Sequence, residues 1–142
     1  MDKDLIWGKL KSRLGYTDEQ LTRMRNDPRW RAMVEDTPEF NTHKIIVEVI
    51  KSEGCVARHR VGDRFVLDAN GCLLTEESPK KVCLYALAPL VTQVAAVYER
   101  LTAKLPPEGL IFDRAHCLDV GPECGGWGQI LMKATVVGPE QR

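Results

Sequence analysis

The residues best able to do chemistry lie in one short segment between positions 116 and 128. It holds two thiols, an imidazole, two carboxylates and four glycines, in the order His116-Cys117-Leu118-Asp119-Val120-Gly121-Pro122-Glu123-Cys124-Gly125-Gly126-Trp127-Gly128. The run is too irregular for a helix or a plain strand. Glycines at this density allow positive φ angles and close approach of the backbone to another surface. We therefore predict a loop of specific shape, which is where functional residues usually lie.

Metal binding is the first chemistry that these residues suggest. Zinc takes thiolate and imidazole ligands, and iron–sulfur clusters take thiolates. The spacing argues against a zinc knuckle, because Cys117 and Cys124 are seven positions apart and Cys55-x-x-x-His59 is only suggestive. The alternative is that Cys72 and Cys83 are small buried apolar residues. The predicted ligands of a zinc ion or iron–sulfur cluster are Cys55, Cys83, Cys117 and Cys124.

A cysteine nucleophile is the second possibility. Cys117 lies beside His116 and Asp119, which are the residue types of a thiolate–imidazole–carboxylate set, and glycine N–H groups after Cys124 could stabilise a thiolate. Adjacent residues of a strand point to opposite faces, so the spacing alone determines no such geometry. A nucleotide-binding loop is rejected, because the glycine-rich end of the segment lacks the G-K-[ST] ending.

An α+β domain over residues 41–142 is predicted to position these groups. Its order is strand, strand, strand, helix, strand, strand, which indicates a small, mainly antiparallel sheet packed by one long helix. The helix follows Pro79 and carries an apolar stripe of Leu84, Leu87, Val91, Val94, Tyr98, Leu101 and Leu105. The predicted strands cover residues 44–51, 64–67, 72–74, 110–112 and 129–137.

Residues 1–40 are predicted to form a helical arm. Thr17-Asp18-Glu19-Gln20 is a capping box, and Asp27-Pro28 matches an N-cap followed by proline. Helices this short are marginal alone, so their apolar faces must dock on the rest of the chain or on a partner. The predicted partner-binding residues are Trp7, Leu10, Trp30 and Trp127.

Composition narrows the class of protein. Lys and Arg together number 20, as do Asp and Glu, so no overall field favours nucleic acid or an anionic membrane. The N-terminus shows no signal-peptide pattern, and polar residues interrupt the longest apolar stretch. Five cysteines without such a signal are typical of reduced thiols, which predicts a cytoplasmic protein. The basic cluster Arg58-His59-Arg60 is interpreted as a solvated hairpin face.

From Lys44 onward, about two thirds of the chain resembles a family of small, uncharacterised, cysteine-containing proteins of anaerobic bacteria and archaea. The helical arm resembles the longer branch of that family. The resemblance implies recurrent cysteines at Cys55, Cys83, Cys117 and Cys124 and work beside a larger enzyme. The motifs that carry it are residues 44–51, Gly54-Cys55, Val61-Gly62-Asp63-Arg64-Phe65, Cys83-x-Tyr85-Ala86-Leu87, Cys117-x-Asp119 and Cys124-Gly125-Gly126-Trp127-Gly128.

Two functions remain open from the sequence. The first is a non-catalytic small subunit or accessory protein of a larger cytoplasmic enzyme complex, with a cysteine-ligated metal as an option. The second is a small stand-alone thiol-dependent enzyme or redox protein that uses Cys117 or Cys124.

Overall fold

The computed structural model describes residues 2–37 and 40–139, and its first part is a three-helix arm. Met1, Pro38 and Glu39 of the predicted arm, and residues 140–142 of the predicted domain, lie outside the described residues. The expected N-terminal helices are confirmed. They are α1 (Lys3–Leu14), α2 (Asp18–Asn26) and α3 (Pro28–Asp36).

Local capping accounts for the ends of these helices. Thr17 Oγ1 accepts a hydrogen bond from the N–H of Gln20, and the Gln20 side chain accepts one from the N–H of Thr17, so the predicted capping box is present. Gly15 ends α1 in the left-handed region at φ 72°, which glycine adopts without steric cost. Asp27 caps α3 by accepting the N–H of Arg29.

The arm packs around Trp7 and docks on its own domain. Trp7 is fully buried, and its indole N–H donates to Glu35 Oε1 at 2.9 Å. The guanidinium of Arg25 lies 5.9 Å from the centre of the Trp7 ring, within the range of a cation–π contact. α3 packs against a helix of the following domain, and Met33 contacts the domain core. The chain itself therefore covers much of the arm's apolar surface.

Four antiparallel strands form the sheet of the domain in the order β2-β1-β4-β3. The two central strands coincide closely with the predicted ranges, and the expected α+β class is confirmed. The strands are β1 (Lys44–Glu53), β2 (Arg64–Asp68), β3 (Arg114–His116) and β4 (Gln129–Val137).

One face of this sheet holds the core. Alternate residues of the two central strands are buried, as the two-residue period of a strand requires. The register between β1 and β4 shifts between Val49 and Lys51, which places an irregularity of the pairing in the second half of β1. The buried apolar residues of the two central strands are Ile45, Val47, Val49, Ile130, Met132, Ala134 and Val136.

The helical segment that covers this face places four members of the predicted stripe against the core, Leu87, Val94, Tyr98 and Leu101, but buries a neighbouring stripe more fully. It consists of α4 (Leu84–Leu87), a 3₁₀ turn at Ala88–Leu90 that contains Pro89, and α5 (Val91–Thr102). Leu84 and Val91, predicted to be buried, are mostly exposed. The segment carries apolar residues on two faces. The face that contains Ala86 lies against the sheet, where its small side chain permits close packing. The buried stripe is Ala86, Leu90, Gln93, Val97 and Leu101.

Two predicted strands are absent from the described chain. Residues 72–74 contribute only an isolated bridge from Leu73 to Leu67, and in place of residues 110–112 a strand begins at Arg114. The side-chain amide of Gln93 donates to the carbonyl oxygens of Phe112 and Arg114, at 3.2 and 3.4 Å. These bonds hold the segment against α5, and Ile111 and Phe112 point into solvent.

Among the described residues, no helix combines the length and the apolar character needed to cross a membrane.

Candidate functional site

A small cavity of about 30 Å³ lies where the ends of the central strands meet the first turn of α4. The wall combines the loop after β1, the residue that caps α4, the loop after β3 and the start of β4. Three of its residues are cysteines, and each comes from a different one of these segments. The wall includes Cys55, His59, Cys83, Tyr85, Cys117 and Ile130.

Three of the four predicted metal ligands therefore meet at one place. Cys55, Cys83 and Cys117 line the cavity and are half-buried, whereas Cys124 is exposed and does not line it. Cys72, which the sequence assigns to structure, is exposed in the turn after β2. Within residues 2–37 and 40–139, no three His, Cys, Asp or Glu side chains are grouped to hold a metal ion. Zinc or iron–sulfur binding thus stays a prediction.

His59 anchors one wall of the cavity. It is only 4% exposed, and its ring packs edge-on against Phe65 with the ring centres 4.9 Å apart. Its Nε2 accepts the backbone N–H of Cys83 at 3.2 Å, so the neutral ring carries its hydrogen on Nδ1. Burial lowers the pKa of His59, although the nearby Asp63 carboxylate opposes this shift. The Nε2 lone pair is occupied, so His59 positions Cys83 rather than accepting a thiol proton.

Cys117 is held in the cavity wall by hydrogen bonds to the start of β4. Its N–H donates to the carbonyl oxygen of Ile130 at 3.1 Å, and the N–H of Ile130 donates to Cys117 Sγ at 3.3 Å. The first bond continues the pairing of β3 with β4 by one residue, whereas the second is accepted by the thiol sulfur instead of a backbone carbonyl. His116 lies on the strand and is exposed, while Cys117 turns toward the core. The adjacent imidazole and thiol thus follow the opposite-face rule of a strand.

The carboxylate of Asp119 organises the loop instead of serving a catalytic set. Asp119 Oδ1 accepts the N–H groups of Gly121 at 2.9 Å and Trp127 at 3.0 Å. These backbone donors, with Gly121 the main one, lower the pKa of Asp119. The two ends of the loop are thereby tied to a single side chain, and the conformation between them is restricted.

Two glycines permit the close contacts of this loop. A Cβ atom on Gly126 would overlap with Asp119 Oδ1 and with the backbone of Gly121. A Cβ atom on Gly128 would overlap with the carbonyl of Glu53 and with the backbone of Gly54. The glycine content therefore reflects two tight approaches, one inside the loop and one against the end of β1.

Four exposed apolar side chains lie in the cavity wall or next to a wall residue along the chain. Val56 and Tyr85 belong to the wall, the N–H of Leu118 donates to the carbonyl of Tyr85 at 3.0 Å, and Trp127 precedes wall residue Gly128. All four side chains are more than half exposed, and Trp127 reaches 72%. We call Val56, Tyr85, Leu118 and Trp127 the rim surface.

The predicted partner-binding residues fall into separate environments. Trp7 is a core residue of the arm, because its ring is enclosed and its indole N–H is bonded. Leu10 is half-buried, and Trp30 is 41% exposed on α3. Trp127 is the most exposed of the three tryptophans. The arm and the loop thus offer very different amounts of aromatic surface.

His59 and Tyr85 are the site residues that the sequence interpretation underrated. Arg58 and Arg60 are exposed as expected, but the residue between them is buried, which corrects the solvated-face interpretation for His59. Arg58 has a positive φ of 61°, and this turn directs the next side chain inward. The four-residue spacing of Cys55 and His59 was the available signal. The spacing of residues gave no comparable signal for Tyr85, because its place at the cavity depends on how the helix packs on the sheet.

The fold and the site define an α+β protein with a cysteine-lined cavity and an apolar rim. Comparisons with protein-family models, curated proteins and solved structures give no match for this chain.

Proposed function

We propose that this chain is a non-catalytic accessory protein or small subunit that binds a larger protein through its rim surface. The occupant of this surface is a folded protein that presents a complementary apolar patch. The proposal keeps the larger partner and the Trp127 contact expected from the sequence, and replaces the expected contact through the helical arm by one through the rim surface.

The observation that carries the proposal is the presentation of Trp127. Its side chain is 72% exposed, yet its backbone N–H is bonded to the Asp119 carboxylate at 3.0 Å. An exposed aromatic residue on a restrained backbone loses little conformational entropy on binding. Tryptophan and tyrosine are also the residues most enriched among those that dominate the energy of protein interfaces.

The chemistry of the rim favours a protein over other partners. Its four side chains are uncharged, and the chain as a whole has a formal net charge of +0. Nucleic acids and anionic lipids are bound mainly through Lys and Arg, which the rim lacks. The five cysteines are free, which supports a cytoplasmic location as part of the proposal.

A matched pair of tryptophan variants tests the proposal. The full chain carrying a small tag is expressed in its native cells, cross-linked and purified as wild type, Trp127→Ser and Trp30→Ser. We expect one partner in near-equal amount with the wild type and with Trp30→Ser. With Trp127→Ser its recovery should fall about tenfold or more, as for loss of a dominant interface residue.

Thermal unfolding of the two purified variants controls for misfolding, since both side chains are partly or largely exposed. Equal recovery with Trp127→Ser and the wild type would overturn the proposal. So would selective loss with Trp30→Ser, which would return the contact to the arm. A purified wild-type homodimer that is dispersed by Trp127→Ser would also contradict it, because the occupant would then be a second copy.

A further inference from the structure

The cavity differs from an ordinary substrate pocket in its size. Its volume of about 30 Å³ exceeds what one water molecule needs, roughly 10–15 Å³ by the same kind of measure. A molecule the size of water or hydrogen peroxide therefore fits, whereas an organic substrate does not. The reactive groups that such a molecule would meet are three thiols.

The imidazole and the carboxylate of the cavity wall are already engaged in hydrogen bonds. His59 Nε2 accepts the N–H of Cys83, and Asp119 accepts backbone N–H groups of its own loop. Neither is placed as a proton acceptor for the thiols. The chemistry open to the cavity is thus that of the sulfur atoms themselves.

The three cysteines differ in how they are held. Cys83 is fixed through its backbone by His59, and Cys117 is fixed by two bonds to Ile130. Cys55 lies outside the strands and helices, in a turn where its carbonyl accepts the N–H of Arg58. All three cysteines line the same cavity of about 30 Å³, so thiols from three different segments border one small space. A disulfide between two of them requires Cα atoms roughly 4.4–6.8 Å apart.

We infer that the cavity is a peroxide-accessible dithiol site formed by two of Cys55, Cys83 and Cys117. One thiol attacks an oxygen of hydrogen peroxide, the O–O bond breaks, and a sulfenic acid and one water form. The neighbouring thiol then attacks the sulfenic sulfur, and a disulfide and a second water form. Two thiols lose two protons and two electrons in total, and one peroxide takes them up and is reduced to two waters.

Cys72 and Cys124 provide an internal contrast. Both are exposed and lie outside the cavity, so a sulfenic acid on either has no thiol of the cavity beside it. A bulky aromatic disulfide reagent should label these two first in the folded protein. Hydrogen peroxide should instead consume the cavity thiols in pairs, because the disulfide traps the first product.

The test treats reduced, full-length wild type with one equivalent of hydrogen peroxide and then counts thiols in denaturant. The count should fall from five to three, the mass should decrease by two hydrogens, and peptide mapping should place the disulfide within the cavity set. In the Cys72→Ser/Cys124→Ser variant the count should fall from three to one. Both substitutions are at exposed positions, which preserves the fold.

An unchanged thiol count would overturn the inference. So would a disulfide that includes Cys72 or Cys124, a disulfide between two molecules, or direct conversion of the cavity thiols to sulfinic acid. The wild-type peptide map gives this answer even without the double variant.

Discussion

The helical arm and the loop between β3 and β4 place their polar and apolar groups in opposite ways. In the arm, Trp7 is enclosed and exposed charges form pairs at the surface, such as Arg25 with Asp4. In the loop, the Asp119 carboxylate faces inward to backbone donors while Leu118 and Trp127 face solvent. A segment whose polar groups form hydrogen bonds within it, and whose apolar side chains are exposed, is suited to contact with another surface.

The largest difference between the two regions should appear in the stability of their tryptophan variants. Trp7→Ala leaves a cavity in the arm and removes the bond to Glu35, so it should lower the free energy of unfolding by about 3–5 kcal/mol. Trp127→Ala removes an exposed side chain and should change it by no more than about 0.5 kcal/mol. Urea unfolding of both variants measures the contrast. Equal losses would mean that Trp127 packs as a structural residue.

Glycine replacement should separate the regions next. Gly128→Ala places a Cβ atom against the backbone of Glu53 and Gly54, and we expect a loss of about 1–3 kcal/mol. Gly8→Ala in α1 meets no atom within 4 Å and should stabilise the chain by about 0.5–1 kcal/mol. Thermal unfolding should therefore show changes of opposite sign. A stable Gly128→Ala protein would show that the loop does not need this close approach.

Asp119→Ala should loosen the loop and leave the arm unaffected. The N–H groups of Gly121 and Trp127 lose their acceptor, so their hydrogen exchange should become faster, while the amides of α1 keep wild-type rates. Because the pKa of Asp119 is lowered in the folded state, its contribution is present above the ordinary value of 3.8 and is lost as the pH falls through the folded-state pKa. Unchanged exchange at Trp127 would refute the organising role of the carboxylate.

The smallest expected effect is a dependence of the folding stability on pH that arises from His59. Burial lowers the pKa of His59, so the unfolded chain binds more protons as the pH falls below about 6.5. Its contribution to stability is fully present above that value and decreases toward the folded-state pKa, as protonation breaks the bond from Cys83. Asp63 opposes the shift and Lys81 adds to it.

His116 supplies the matched control, because it is exposed. His59→Gln should flatten the stability profile between pH 7 and 5, whereas His116→Gln should leave it as in the wild type. Denaturant midpoints over this range provide the measurement. A wild-type profile in His59→Gln would show that the ring does not titrate with folding.

Local sequence signals predicted the elements well, and long-range packing decided what they missed. The capping box at Thr17, the helix start at Asp27-Pro28 and the range of β4 all depend on neighbouring residues, and all three are confirmed. The buried face of α5 depends on which side meets the sheet. Its apolar residues on two faces made the stripe ambiguous.

At the candidate site too, local sequence signals predicted the loop, and long-range packing decided which side chains are buried. A loop between two strands was expected for residues 117–128, and the structure has it. The burial of His59 depends on the turn at Arg58 and on Phe65, and the burial of Trp7 depends on Glu35, which lies 28 positions away. Cys124 was grouped with the other cysteines by residue type and by the family resemblance, and the path of the loop leaves it outside the cavity.

The exposure of the three tryptophans in one protein tests the central contrast most directly. The full-length chain is labelled with 5-fluorotryptophan, each signal is assigned with a single Trp→Phe variant, and fluorine shifts are compared between H₂O and D₂O. From the exposure of the three side chains, we expect the largest solvent shift for Trp127, an intermediate shift for Trp30 and almost none for Trp7. A shielded Trp127, or a Trp7 with a larger shift than Trp127, would contradict this expectation.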